Sequence, residues 1–257
     1  MELKDKVVIV TGGASGLGKA TVLELVSAGA KAVIFDINDS NANALVEELG
    51  SSNCIFAKVD VTSEESVAAG IEVAKSAFGA IHACVNCAGS GDAARTVGKK
   101  GPFPLERFEW VVKLNLIGTF NVLRLCAAEM QNNEPVTEDG ERGVIINTGS
   151  VAGIDGQIGQ AAYAASKAGI IGMTLPIARD LGKLGIRINT ICPGVFKTEL
   201  MAAAPQELID ALSANAQFPR RLGKPSEFAR LVRHLCENTY INGETIRLDS
   251  GMRMPPR

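Results

Sequence analysis

The sequence predicts an α/β fold: a doubly wound parallel sheet of about seven strands with helices on both faces, in one domain over residues 1–257. Three observations predict it. Short, unbroken apolar runs rich in Val and Ile recur along the chain, the mark of strands covered on both faces. Longer stretches with helical apolar spacing lie between them, and a β-α-β-α order calls for a parallel sheet with right-handed crossovers. The first run also passes directly into a glycine-rich turn that opens a helix.

The elements follow in order. The run at 7–10 is the first strand, T-G-G-A-S-G-L-G at 11–18 is the turn, and a helix covers 16–28. A strand at 32–35 leads to Asp36 and a helix at 39–49; a strand at 55–59 leads to a helix at 63–78. The strand at 81–85 is followed by residues 90–104, rich in Gly, Pro and charge, which read as a surface insertion. A long helix at 105–130 precedes a second such insertion at 131–142. A strand at 144–146, a helix at 158–181 and a strand at 186–191 come next. Residues 195–223 are irregular and apolar, with Pro205 and Pro219. Lying beyond a strand's carboxyl end, where such sheets bind ligands, they are expected to form a substrate lid. A helix at 225–237 and a strand at 244–248 complete the pattern.

Composition excludes several classes. With 46% apolar and 21% charged residues the chain is not a disordered polymer. Its 26 basic and 28 acidic side chains nearly cancel, so no global field draws it to nucleic acid or an anionic membrane. No apolar run reaches the roughly 18 residues of a membrane span, and the first ten residues lack the pattern of a signal peptide. Neither a membrane nor a nucleic-acid partner is expected. Among six cysteines, Cys54, Cys84, Cys126 and Cys192 lie in apolar segments, where a thiol acts as a small hydrophobe. Cys84 and Cys87 form a C-x-x-C, yet no second pair follows and His82 and His234 are the only histidines. No metal site is expected, and the location is expected to be reducing and cytoplasmic: bacterial cytoplasm, or the mitochondrial matrix in a eukaryote.

Two clusters of residues carry chemistry. In the turn, Gly12, Ser15, Gly16, Leu17 and Gly18 bring backbone N–H groups and a helix N-terminus to one place, a cradle for a pyrophosphate. Asp36, at the end of the second strand, can accept hydrogen bonds from both hydroxyls of an adenosine ribose and would repel a 2′-phosphate, which points to NAD rather than NADP. A helix cap is its other reading. Asp60 and Val61 follow the third strand at the adenine edge, although Asp60 equally suits a cap for the helix beginning near Thr62. The second cluster is Ser150, Tyr163 and Lys167. Tyr163 and Lys167 are spaced i, i+4 and share a helix face. A tyrosine of ordinary pKa, about 10, is a poor base near neutrality. A neighbouring ammonium and a cationic nicotinamide are expected to lower that value, so that Tyr163 moves a proton while Ser150 holds a carbinol oxygen.

These residues resemble the short-chain dehydrogenase/reductase family over essentially the whole chain: T-G-G-A-S-G-L-G at 11–18, N-C-A-G at 86–89, Asn115 in K-L-N-L-I-G, Ser150, Y-A-A-S-K at 163–167 and P-G-V-F-K-T at 193–198. The resemblance implies a Rossmann domain in which Tyr163 is the acid–base group and Lys167 binds the nicotinamide ribose. It also implies that Ser150 orients substrate and that the Asn115 main chain holds a relay water. By the same resemblance Cys87, Ala88 and Gly89 border the cofactor, while Pro193, Val195, Phe196 and Thr198 flank its carboxamide end. Cys87 departs from the commoner asparagine. The stretches R-G-V-I-I-N-T at 142–148, G-M-T-L-P-I-A-R-D-L at 172–181 and N-G-E-x-I-R-L-D near the C-terminus are similar to members that oxidise (S)-3-hydroxyacyl-CoA to 3-ketoacyl-CoA with NAD and assemble as homotetramers. Branched acyl chains and steroid alcohols are further substrates this implies. Arg95, Lys99 and Lys100 in the first insertion form a basic cluster suited to coenzyme A phosphates. The other readings are a carrier-protein reductase, against which Asp36 speaks, a hydroxysteroid or other small-alcohol dehydrogenase, and a non-catalytic scaffold subunit.

Overall fold

The run Val7–Thr11 (β1) becomes the middle of the sheet because its residues alternate between two separate cores. Val8 and Val10 pack on one face, with Val22 and Leu25 of the helix Gly16–Ser27 (α1); Val7 and Ile9 pack on the other. A strand buried this way has no polar side, hence the unbroken apolar run. The computed structural model describes residues 1–202 and 205–256, without the side chains of residues 200, 202 and 208. Residues 203 and 204, within the expected lid, and residue 257 lie outside the described set.

After α1 come Lys31–Asp36 (β2), Asp39–Leu49 (α2), Cys54–Lys58 (β3), Glu64–Phe78 (α3) and Ala83–Asn86 (β4). The first insertion carries a small antiparallel hairpin, Val97–Gly98 (β5) and Gly101–Pro102 (β6). Leu105–Val112 (α4), Gly118–Met130 (α5), Gly143–Thr148 (β7), Ala161–Leu181 (α6) and Ile186–Pro193 (β8) follow. Glu199–Ala202 (α7), Gln206–Ala214 (α8), Pro225–Glu237 (α9) and Thr245–Leu248 (β9) complete the order. Seven parallel strands run β3-β2-β1-β4-β7-β8-β9. The winding direction reverses between β1 and β4, which opens a crevice at the carboxyl ends of those strands. The side chains of α1 and α9 build the core on one face; those of α3, α5 and α6 build it on the other.

Four expectations change. The helix at 105–130 is interrupted by a π-turn at Lys113–Ile117, with the Gly118 N–H bonded to Lys113 O. This helix also has the length and mean hydropathy, 1.4, of a membrane span, but Val122, Leu123, Cys126 and Met130 pack into the second core. The helix expected from 158 begins at Ala161, because Gly159 has φ +89° and Ile158 N–H bonds to Pro256 O instead. The irregular 195–223 segment contains two short helices, the second started by Pro205; helices this short leave little periodicity to detect. Finally, the second insertion is not all surface. Glu141 is buried and accepts hydrogen bonds from Arg187 Nε and from the Met1 ammonium, at 2.9 and 3.0 Å.

Candidate active site

The glycine turn is shaped by contact as much as by conformation. Gly12 and Gly16 have φ of +62° and +53°, a left-handed backbone that side chains disfavour. A methyl group on Gly18 would lie 2.1 Å from Gly12 O, so only glycine lets the helix start this close to the turn. The helices α2 and α3 are capped by side chains, Asn38 Oδ1 accepting from Asn41 N and Ser63 Oγ from Ser66 N. At α1 the N-cap Ser15 makes no side-chain cap bond. Its first turn therefore presents N–H groups without a side-chain partner, the arrangement that binds anions.

Asp36 is not a helix cap; Asn38 has that place. Asp36 Oδ2 accepts from Ala14 N at 3.0 Å and Oδ1 from Asn38 N at 2.9 Å, which ties the end of β2 to the turn and fixes the carboxylate. Asp60 does not cap α3 either. Its Oδ1 accepts from the backbone N–H and the hydroxyl of Thr62, and Ser63 is the cap. Gly12, Asp36, Asp60, Val61, Ala88 and Gly89 line one cavity of about 550 Å³.

A second cavity, of about 390 Å³, shares Gly89 and Ser90 with the first. Leu17, Cys87, Ser150, Tyr163, Lys167, Pro193, Val195, Phe196 and Thr198 line it. Thr198 lies beside the turn: its Cγ2 would lie 3.5 Å from a methyl group on Gly16. Ser15 is exposed at the turn and Ala14 is buried behind it. Ser150 Oγ accepts from Ala152 N at 3.1 Å, which leaves its hydroxyl proton to donate. Lys167 Nζ donates to Thr148 O at 2.8 Å and lies 5.7 Å from the centre of the Tyr163 ring.

The electrostatics run against the expected acidic phenol. Burial holds Tyr163 above its ordinary pKa, an effect that the hydrogen-bonding Ser150 hydroxyl partly offsets. Burial also pushes Lys167 down to about 8, with the neighbouring Cys87 and Cys192 thiols acting the other way. Both groups are therefore biased toward their neutral forms by the protein alone, since desolvation penalises whichever form is charged. Burial raises the Cys87 thiol to about 11, and Cys54 and Cys236 to about 12, so these sulfurs are inert near neutrality.

Asn115 sits in the π-turn, fully buried, and its side chain is committed to structure. Its Oδ1 accepts from Ser90 N, and its Nδ2 donates to Ser90 O and to Ser166 Oγ, which in turn donates to Tyr163 O. The supporting roles of Ser90, Ser166 and Thr11 emerge only in the structure; Thr11 Oγ1 accepts from Cys87 N and Ala88 N. Thr11 and Ser166 lie inside the T-G-G-A-S-G-L-G and Y-A-A-S-K motifs, and that position was a usable signal for each; Ser90 had none.

A doubly wound sheet with this turn and this Ser–Tyr–Lys group at its switch point defines a class. Residues 6–208 match the short chain dehydrogenase family, and the chain belongs to that family of oxidoreductases. It is 51% identical to the 3-hydroxyacyl-CoA dehydrogenase type-2 of Drosophila melanogaster, over 99% of this chain and 100% of that protein. The protein of the same name from Homo sapiens is 52% identical, over 99% and 97%. The crystal structure of 3-hydroxyacyl-CoA dehydrogenase type-2 from Mycobacterium avium superposes with a TM-score of 0.94 at 45% identity, covering all of both chains.

Proposed function

We propose that this chain oxidises (S)-3-hydroxyacyl-CoA to 3-ketoacyl-CoA with NAD. One observation carries the reading: Ser150, Tyr163 and Lys167 open into the same cavity as Leu17 of the phosphate-binding turn and Thr198 of the segment facing it. The residues present fit the dinucleotide. Glycine cradles that a methyl group would fill, an α1 terminus without a side-chain cap, and a fixed Asp36 carboxylate match a pyrophosphate and a ribose lacking a 2′-phosphate. Gly12, Ser15, Gly16, Leu17 and Gly18 would hold the pyrophosphate, Asp36 the adenosine ribose, and Asp60 and Val61 the adenine edge. Cys87, Ala88 and Gly89 would border the middle of the cofactor, Lys167 would hold the second ribose, and Pro193, Val195, Phe196 and Thr198 the carboxamide. Bound NAD supplies the hydride acceptor and a positive charge near the phenol.

The chain's own groups do the rest. Ser150 Oγ donates a hydrogen bond to the carbinol oxygen. Tyr163 Oη takes the carbinol proton as the C–H hydride leaves, and positive charge beside the ring offsets the burial that otherwise keeps the phenol protonated. Lys167, anchored on Thr148 O, holds its ammonium on that side. In this reading the Asn115 main chain continues the proton path.

The acyl-CoA assignment is supported by the names of the relatives at 51% and 52% identity. It is also supported by Arg95, Lys99 and Lys100, all exposed on or beside the hairpin. Arg95 borders a cavity of about 620 Å³ that reaches Ala161 and Ala164 at the start of α6. The 195–223 segment is the lid over the acyl arm in this reading. A homotetramer is supported by exposed Leu105, Trp110, Ile117 and Phe120 on the long helix and Leu175 on α6, and a cytoplasmic location by the free cysteines. A panel of 3-hydroxyacyl-CoA thioesters against hydroxysteroids, each with NAD and NADP, tests the reading. Fastest NAD-linked turnover on the thioesters is the expected result, and turnover confined to steroid alcohols would overturn it.

A further inference from the structure

Ser150 and Tyr163 are joined by a short 3-10 turn, Val151–Gly153, and then by residues 154–160, which have no regular structure of their own. Three outside groups hold this loop. Ala94 N–H of the first insertion bonds to Gly159 O at 2.9 Å. The C-terminal segment accepts from Gln157 Nε2 at Pro255 O (2.9 Å) and from Ile158 N at Pro256 O (3.0 Å). The third is Arg247, on the edge strand β9. Its Nη2 lies 2.7 Å from Asp155 Oδ2 and 2.7 Å from Asp249 Oδ2, and donates to Met252 O at 2.9 Å; its Nε donates to Asp249 Oδ2 at 2.7 Å.

One guanidinium thus ties the loop after Ser150 to the C-terminal segment and to Asp249. Asp249 packs so closely on Gly194 that a methyl group there would lie 3.0 Å from its Cα. Gly194 lines the cavity that holds Tyr163. The clamp is partly buried, with Arg247 and Asp155 side chains 19% and 20% exposed, so its charges are weakly screened. The Arg247 guanidinium holds the Asp155 carboxyl below its ordinary pKa, so the pair stays ionised near neutrality. A planar fork meets the acceptors of Asp155, Asp249 and Met252 at once; a lysine ammonium is a single point.

We propose that Arg247 is a positioning residue for the substrate side of the site: through Asp155 and Asp249 it holds the Ser150–Tyr163 loop against the Gly194 segment, so that Ser150 and Tyr163 meet one substrate oxygen together. The proposal rests on the Ser150–Tyr163 reading above. The phosphate-binding turn and Asp36 share none of these bonds and only the 193–198 stretch borders both sides, so a variant that loosens the substrate side keeps most of the dinucleotide's contacts.

The test measures steady-state reduction of acetoacetyl-CoA by NADH, and NAD binding by calorimetry, for Arg247→Gln, Asp155→Asn, their double variant and Arg247→Lys in the full chain. Each single variant is expected to lower kcat/KM by about tenfold to a hundredfold while changing the NAD Kd less than twofold. The double variant should fall no further than the weaker single, and Arg247→Lys should recover part of the loss. Unchanged kcat/KM, additive losses in the double variant, or an NAD Kd that rises in step with the activity loss would each overturn the proposal. Should Arg247→Gln fail to fold, the isosteric Asp155→Asn carries the same comparison. Tyr163→Phe is run alongside: full turnover in that variant overturns the underlying reading itself, whatever Arg247 does.

Discussion

On the dinucleotide side of the crevice, the turn at 11–18 and Asp36 belong to one β-α-β unit and are joined by a single bond, Ala14 N to Asp36 Oδ2. On the substrate side, Asn115 reaches 51 residues along the chain to Ser166 and Arg247 reaches 92 residues back to Asp155. Ser90 and Thr148 come from still other elements. A phosphate cradle needs only N–H groups and room, which a short run of glycines and a helix start provide locally. An acid–base pair needs two side chains held to a fraction of an ångström, and that demands supports from several directions. The turn and Asp36 are consequently local, and the acid–base side is a product of assembly.

Tyr163→Phe should divide the sides most sharply. Losing the transferable proton is expected to cost about 10²–10⁴ in kcat, with NAD Kd from calorimetry essentially unchanged; a variant with most of its turnover would remove the distinction. Glu141→Gln probes the scaffold beneath both sides. Arg187 Nε and Nη2 lie 2.9 and 2.7 Å from Glu141 Oε1, and breaking such a buried pair should cost about 3 kcal/mol in denaturant unfolding, with kcat per folded molecule preserved. Asp36→Ala acts on the dinucleotide side alone and should shift the NAD/NADP ratio of kcat/KM by about tenfold or more, the worth of a charged hydrogen bond. An unchanged ratio would mean that this carboxylate does not face the ribose.

The buried lysine gives a smaller, pH-dependent effect. Lys167 is pushed from 10.5 down to about 8 in the folded chain. Between those values the unfolded chain binds more protons than the folded one, so stability should rise with pH across that window, by at most about 1.4 kcal/mol per pH unit. Unfolding titrations of Lys167→Met should lack this slope. The smallest expected effect is on the hairpin: Lys99→Ala with Lys100→Ala should raise KM for acetoacetyl-CoA about threefold to fivefold, the worth of exposed charge contacts, and leave a short non-CoA alcohol unaffected. Equal shifts for both would assign those lysines to solvent.

The difference between the two sides also sets what could be read in advance. The seven strands, the glycine turn, Asp36 and the Tyr163–Lys167 spacing were all legible, because each rests on contacts within a few residues or on alternation between two cores. The π-turn around Asn115 was not, since no local pattern distinguishes it from the helix on either side. Glu141 reads as surface because its neighbours are polar; its approach to Arg187, 46 residues on, buries it. The expected acidity of Tyr163 counts nearby charge, a bound nicotinamide's included; in the protein alone burial, which no sequence window reports, holds the phenol above its ordinary pKa.

Sequence alone determined the order of the strands and main helices, the glycine-rich turn and the i, i+4 spacing of Tyr163 and Lys167, because periodicity, glycine geometry and helical spacing act over a few residues. The tertiary structure decided which side chains support Ser150 and Tyr163, how Lys167 is anchored and which way their proton affinities move. Those depend on desolvation and on bonds between elements far apart in the chain, and they exist only once the sheet and its two layers of helices have closed around them.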